Sequence, residues 1–252
     1  MKTRSFTTPL GSECLSLVIL LAVWSVLTLA YPAYILPSPW VVLIDLPTYL
    51  STNFWHHAGA TLYRTLAGFM IAMAFGTLIG VIAHAWKKAQ LMNSLMLALQ
   101  VMPGTVLGVI FLLLFGASHT APILLVTFLT MPMLAINTVH GFSKRNLKLQ
   151  EYLISIHAGR LAFFQYVDLP ALIPVFRSNM SAGFGLAVKI VVMGEFIGSQ
   201  DGIGFLLNQA RLILDMKGVF FYLVFLLIFT LIFQAIHAAV FNRFFQKYEF
   251  PE

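Results

Sequence analysis

Charge is scarce in this chain. Only 10% of its 252 residues are Asp, Glu, Lys or Arg, whereas 60% are hydrophobic. A soluble domain carries roughly a quarter charged residues, so the composition excludes an ordinary soluble protein and leaves a polytopic membrane protein. Cysteine is nearly missing as well. Cys14 stands alone, no internal disulfide is available, and the residue reads as a small buried hydrophobe. No G-x-x-x-x-G-K-[ST] loop occurs, which excludes nucleotide binding through a P-loop. The seven histidines show neither H-E-x-x-H nor a Cys/His ligand spacing, so no metal site and no bound cofactor follow. No nucleophile elbow is present either, and no catalytic residue is assigned. The formal net charge of +6 does not point to nucleic acid, because there is no basic soluble domain. The basic residues sit mainly at the ends of apolar runs, where they orient a protein and meet anionic lipid. Internal repeats, low-complexity tracts and linkers are absent, so residues 1–252 read as a single transmembrane domain.

What is abundant is long apolar sequence. A hydrocarbon core about 30 Å thick takes about 20 apolar residues of helix. Six stretches qualify, roughly 14–31, 61–84, 92–115, 120–142, 170–198 and 216–240. Backbone groups find no water partners in lipid, so the expected fold class is all-α. The opening MKTR before Leu15 to Tyr31 resembles a signal peptide, but the run exceeds the usual h-region of about 7–15 residues. It reads as a retained first span. With both termini in the cytoplasm, Lys2, Arg4, Lys87, Lys88, Lys144, Arg145, Lys148, Arg160, Arg243 and Lys247 fall inside, and Arg64, Arg211 and Lys217 outside. That bias supports the orientation. Trp40 and Trp55 then read as anchors at the outer interface.

Between the fourth and fifth apolar runs lies a segment of mixed polarity, about 143–170, too long for a simple connector. Its centre reads EYLISIHAGRLAFFQYVDLPALIP from Glu151 to Pro174. Glu151, a turn near His157 to Gly159, and Leu169-Pro170 resemble the "EAA" loop of binding-protein-dependent ABC importer permeases. In that pattern E-A-A is followed by a Gly four residues on, and by L-P about a dozen later. Here Tyr152-Leu153 replaces the small pair and His157 stands at the Gly position, with Ala158-Gly159 available to shift the turn by two residues. Asp168 is placed to cap the helix that opens at Leu169-Pro170. The start Ile35-Leu36-Pro37-Ser38-Pro39 and the later run TLYRTLAGF resemble the nitrate, sulfonate, taurine and bicarbonate branch of the same family.

The resemblance implies a type I ABC importer permease fold in the bacterial inner membrane. It implies a second copy of the chain, two cytoplasmic ATPase subunits that hold ATP and magnesium, and an external solute-binding protein. It implies that Glu151, Tyr152, Leu153, Ser155, His157, Ala158, Gly159 and Arg160 face the ATPase. On this reading the chain moves solute and catalyses no covalent change. An independent secondary transporter would show internal repeats and paired intramembrane carboxylates, and a membrane enzyme would show clustered catalytic side chains. Sulfonate, nitrate and bicarbonate stay open as solutes beside neutral organic compounds such as a vitamin or pyrimidine precursor.

Two charges fall inside the fifth stretch, Lys189 and Glu195. Such charges face a cavity or a partner. Six residues separate them, which places them about 120° apart on one helix, so they do not pair directly. By span position Lys189 is expected to be buried. It reads either as a cation lining the path of an anionic solute, with Met193 and Phe196 as walls and Glu195 on the same path, or as a structural partner of a carbonyl or carboxylate. Gly76 with Gly80, Gly104 with Gly108, and Gly194 with Gly198 permit close helix approach, within one subunit or between subunits. Pro103 and Pro132 are expected to kink their spans. Residues 199–215 read as an outer half-helix, either a gate or docking surface or a plain connector.

Overall fold

The computed structural model describes residues 9–245, without the side chains of 9–14, 16, 17, 52, 242, 244 and 245. Lys2, Arg4 and Lys247, and the Cys14 side chain, therefore lie outside the described residues. Twelve helices follow in order. They are α1 (Pro9–Leu27), α2 (Pro39–Ile44), α3 (Leu46–Tyr49), α4 (Thr52–Ala85), α5 (Ala89–Gln100), α6 (Gly104–Phe115), α7 (Thr120–Ser143), α8 (Leu147–Ser155), α9 (Arg160–Phe163), α10 (Leu169–Gly198), α11 (Ile203–Leu212) and α12 (Met216–Phe245). A π turn, Phe164–Asp168, fuses α9 to α10. No strand occurs among the described residues.

The long helices are organised by a seam of small residues between α4 and α7. A Cβ added at Gly76 would stand 2.8 Å from Met131 O, and one added at Gly80 would stand 3.0 Å from Ala135 O. Both glycines therefore pack inside one chain, with backbone against backbone. Position 68 faces 126, 76 faces 134 and 80 faces 138, so α4 and α7 run parallel. A parallel pair forces the chain between them to cross back to its starting side. That return is made by α5 and α6, which bend by 80° at their junction. The expected continuous third span is thus two helices of 12 residues each. Pro103 is the physical cause. It has no N–H for the ladder, and it holds φ −63 and ψ 121, an extended conformation, at the start of α6.

The other spans differ from expectation mainly at their ends. Four helices are long and apolar enough to cross a membrane, at 53–85, 120–143, 160–198 and 216–241. With the bent pair they make five. The described apolar part of α1 is Val18–Leu27, which is shorter than a span. The first stretch ends at Leu27 instead of 31, where residues 28–30 form a turn ahead of Tyr31-Pro32. Pro132 does not interrupt α7, which continues to Ser143. At the other expected boundary, Leu169-Pro170 opens no new helix. Helix continues from Arg160 through the π turn, where the Leu169 N–H donates to Phe164 O, five residues back. The wider turn relieves the crowding that the Pro170 ring would impose on the carbonyl four residues before it.

Large side chains fill the middle of the bundle. Phe69, Leu125, Leu134, Phe184 and Val191 are buried where α4, α7 and α10 meet, and Phe184 stacks on Phe233 of α12. Antiparallel packing of α10 on α12 follows from Phe184 on Phe233 and the Arg177 guanidinium over Phe241. Outward-facing side chains are apolar along α1, α5, α6 and α12, with Leu21, Leu95, Leu113 and Ile232 exposed. In water such a surface would be unstable, whereas in lipid it is matched to its solvent. Trp40 and Trp55 are both exposed.

Candidate functional site

The segment after α7 forms a short helical hairpin. Asn146 caps α8, its side-chain oxygen accepting from the Leu149 N–H at 3.1 Å. Leu153 is buried, 6% exposed, and so anchors the hairpin from inside instead of presenting itself to a partner. Val167, in the π turn, is the second anchor at 2%. The helix ends where His157 N–H donates to Ile154 O at 3.0 Å and Ala158 N–H to Leu153 O at 2.9 Å. This is a Schellman ending, in which the residue at the turn takes a left-handed conformation and is usually glycine. His157 takes that place with φ 53. Gly159 has φ −68, so the turn is not shifted onto Ala158-Gly159. The left-handed conformation costs a non-glycine residue roughly 1 kcal/mol.

Glu151, Tyr152, Ser155, His157, Gly159 and Arg160 are exposed, and Ala158 is half-buried. Around them the hairpin shows Ile154, Ile156, Leu161, Phe164 and Tyr166, each at least half exposed. Sequence reasoning did not select these five. They sit beside the Glu151 motif, and their signal was an apolar run too short for a span. Asp168 does not cap α10. It lies inside continuous helix with φ −77 and ψ −49, and its carboxylate pairs instead with Arg145 at 3.1 Å.

A second cluster occupies the opposite end of the bundle. Arg64 of α4 is buried, 2% exposed, and is not a flanking charge in water. Its guanidinium donates to Glu195 Oε1 at 2.9 Å, to Asp201 O at 3.0 Å and to His119 Nδ1 at 3.0 Å. It also pairs with the Asp201 carboxylate. Glu195 accepts further from Thr61 Oγ1 at 2.8 Å and Gly204 N–H at 3.0 Å. Thr61 Oγ1 in turn accepts from Ile203 N–H at 2.8 Å, and His57 Nδ1 from Gly202 N–H at 3.0 Å. One guanidinium therefore ties α4 to α10, to the loop before α11 and to the entry of α7. Burial alone would raise the Asp201 carboxyl, but the Arg64 hydrogen bond and charge outweigh it and hold the group below the usual carboxylate range. Gly202 has φ 106, and a Cβ there would stand 2.2 Å from the Glu195 carboxyl carbon. Only glycine fits.

The four side chains expected along a solute path do not converge. Glu195 belongs to the buried ion cluster. Met193 packs where a Cβ on Gly104 would be, 2.7 Å away. Phe196 lies under the Arg211 guanidinium at 5.1 Å. Lys189 is exposed on the single chain, not buried. Span position fixes depth in the bilayer, not the direction in which a side chain points. On its own helix it is flanked by Gly185 and Leu186 on one side and by Val192 and Met193 on the other, all partly exposed, with Ala182 and Ser178 exposed further along the same face. Gly185 approaches Thr230 and Gln234 of α12. No group of His, Cys, Asp and Glu among the described residues is arranged to hold a metal ion.

The comparisons with known proteins agree on one family. Residues 68–246 match the model of the binding-protein-dependent transport system inner membrane component. The chain is 32% identical to the riboflavin transport system permease protein RibX of Chloroflexus aurantiacus, over 81% of this chain and 78% of that protein. It is 26% identical to the formylaminopyrimidine transport permease protein ThiX of Halalkalibacterium halodurans, over 74% and 75%. It is 27% identical to the putative aliphatic sulfonates transport permease protein SsuC of Bacillus subtilis, over 80% and 75%. With its helical bundle and exposed loop hairpin, the chain belongs to the binding-protein-dependent transport system inner membrane component family, as an ABC importer permease for a small solute.

Proposed function

We propose that residues 143–170 seat a cytoplasmic ATPase subunit. We also propose that two copies of the whole chain, each acting as one transmembrane unit, enclose the solute path. The observation that carries the first part is the hairpin surface. The hairpin exposes five apolar side chains besides Tyr152, which is itself 59% exposed, while Leu153 and Val167 are buried within it. A patch of this kind, rimmed by Glu151, His157 and Arg160, is what a protein partner buries. ATP and magnesium belong to that partner, and the termini of this chain lie on the same cytoplasmic side. The ion cluster then faces outward, toward the solute-binding protein. The test is co-purification of the ATPase. A Tyr152→Glu, Ile156→Glu variant should remain in the membrane and lose the ATPase, and retention of the ATPase would sink the reading.

Lys189 supports an anionic group on the solute. It is exposed on a membrane-crossing helix, and no hydrogen bond or ion pair to it is found among the described residues. A charged ammonium is not stable against lipid, so that face of α10 borders water between two copies. In such a low-dielectric setting it attracts anions more strongly than in bulk water. A neutral ring compound is the second reading, favoured by the riboflavin and formylaminopyrimidine relatives. Uptake of sulfonates and of flavin or pyrimidine compounds by Lys189→Met and parent proteoliposomes separates the two. An anionic solute is slowed by the substitution, and a neutral one is not.

A further inference from the structure

Arg145 joins three elements through one guanidinium. It stands just past the end of α7. Its Nε lies 3.1 Å from Asp168 Oδ1, and another of its nitrogens donates to His84 Nε2. The guanidinium also covers the Phe142 ring at 4.9 Å. His84, in the last turn of α4, stacks on the same ring at 4.3 Å. The Arg145 side chain is 13% exposed and that of Asp168 is 26% exposed, so solvent screens this pair less than it screens a surface ion pair.

The position of this cluster matters more than its energy. Arg145 is the entry to the hairpin and Asp168 is its exit, so the ion pair closes residues 146–167 into a ring. Asp168 is also the last residue of the π turn. Such a turn has one widened hydrogen-bond ring and is a common place for a helix to kink, and Pro170, two residues on, removes another ladder bond. Left free, this stretch would absorb a push on the hairpin by bending. Pinned at Asp168, it passes the push to α7 and, through His84, to α4.

We propose that Arg145, Asp168 and His84 are positioning residues that pin both roots of the hairpin to α4 and α7, so that displacement of the hairpin moves these helices. The proposal rests on the reading of 143–170 as the ATPase seat. Lysine does not substitute for Arg145, because a point charge cannot contact a carboxylate, an imidazole and a ring face at once.

The experiment uses the full transporter complex in lipid nanodiscs, with Cys14→Ser and a Gln200→Cys reporter at the far end. Gln200 is exposed. The reading is the rate of maleimide labelling with and without ATP plus vanadate, which requires no knowledge of the solute. In the reporter background ATP changes that rate. Arg145→Ala and Asp168→Asn should lose the ATP-dependent change while keeping bound ATPase and ATP hydrolysis. Arg145→Lys should show a partial loss. An unchanged ATP response in Arg145→Ala or in Asp168→Asn overturns the proposal. Glu151→Lys separates it from the reading beneath it. If that variant keeps both the ATPase and the ATP response, the seat is misplaced. If it loses them while Arg145 variants behave like the parent, only the pin is wrong.

Discussion

Arg64 and Glu195 meet at 2.9 Å between α4 and α10, their side chains 2% and 0% exposed. Desolvation of two such groups is costly, and only the surrounding hydrogen bonds make the arrangement tolerable. Removing one partner leaves the other buried and unmatched. Arg64→Met is therefore expected to destabilise the solubilised chain by about 3–5 kcal/mol. Arg64→Met with Glu195→Met should cost less than the single change. Thermal unfolding in detergent, with ligand-free protein, measures both.

Asp201 gives the same cluster a pH limit. Its folded carboxyl is held below the ordinary value, because the Arg64 hydrogen bond and charge outweigh its burial. A depressed group stabilises the fold above its unfolded pKa, and the contribution disappears as pH falls through the folded value. The contribution is thus complete at neutral pH and declines below about pH 4. Melting temperature recorded from about pH 7 down to about pH 3 should fall less steeply in Asp201→Asn than in the parent. Equal slopes would remove Asp201 from the account.

Gly202→Ala should be among the most damaging small substitutions. The backbone there has φ 106 and the added methyl would collide with the Glu195 carboxylate. Strain and loss of the cluster act together, so folded yield should drop sharply, whereas Gly159→Ala, with open space around it and φ −68, should be tolerated. Comparing the two variants by size-exclusion profile decides the point.

His157→Gly is expected to move stability the other way. Relief of the left-handed strain is worth up to about 1 kcal/mol, and the larger freedom of unfolded glycine offsets part of it. A small rise in melting temperature with unchanged membrane insertion is the expected result. A fall would mean that the imidazole makes a contact in the assembled transporter.

Hydropathy revealed most of the membrane architecture in the sequence, because a span is defined by its own composition. Four long helices lie where the apolar runs are, and Pro103 marked the broken one. The size of that break was not legible. It is set by the parallel packing of α4 and α7, which no local pattern encodes. Arg64 was misread for a related reason. Near the end of an apolar run a charge looks like a flank, and only the approach of α10, 131 positions away, shows it to be buried. The hairpin is legible through Glu151 and Leu169-Pro170, but the sequence leaves its turn open between His157 and Ala158-Gly159. A histidine in the left-handed region is uncommon enough that a glycine nearby looked the better turn. Asp168 before Leu-Pro looked like a cap, because sequence cannot distinguish a helix start from a π turn inside a longer helix.

The glycine seam has a mechanical consequence. Gly68, Gly76 and Gly80 each fit against α7 so closely that an added Cβ would come within 3.0 Å of backbone or side-chain atoms. Neither helix can slide along the other without driving a side chain into backbone, so the two behave as one lever. Arg64 lies about a third of the way along α4 and His84 in its last turn, about 30 Å apart at 1.5 Å per residue. A tilt of about 10° would displace one end relative to the other by about 5 Å over that length. A displacement of that size would exceed the 2.9 Å that separates Arg64 from Glu195.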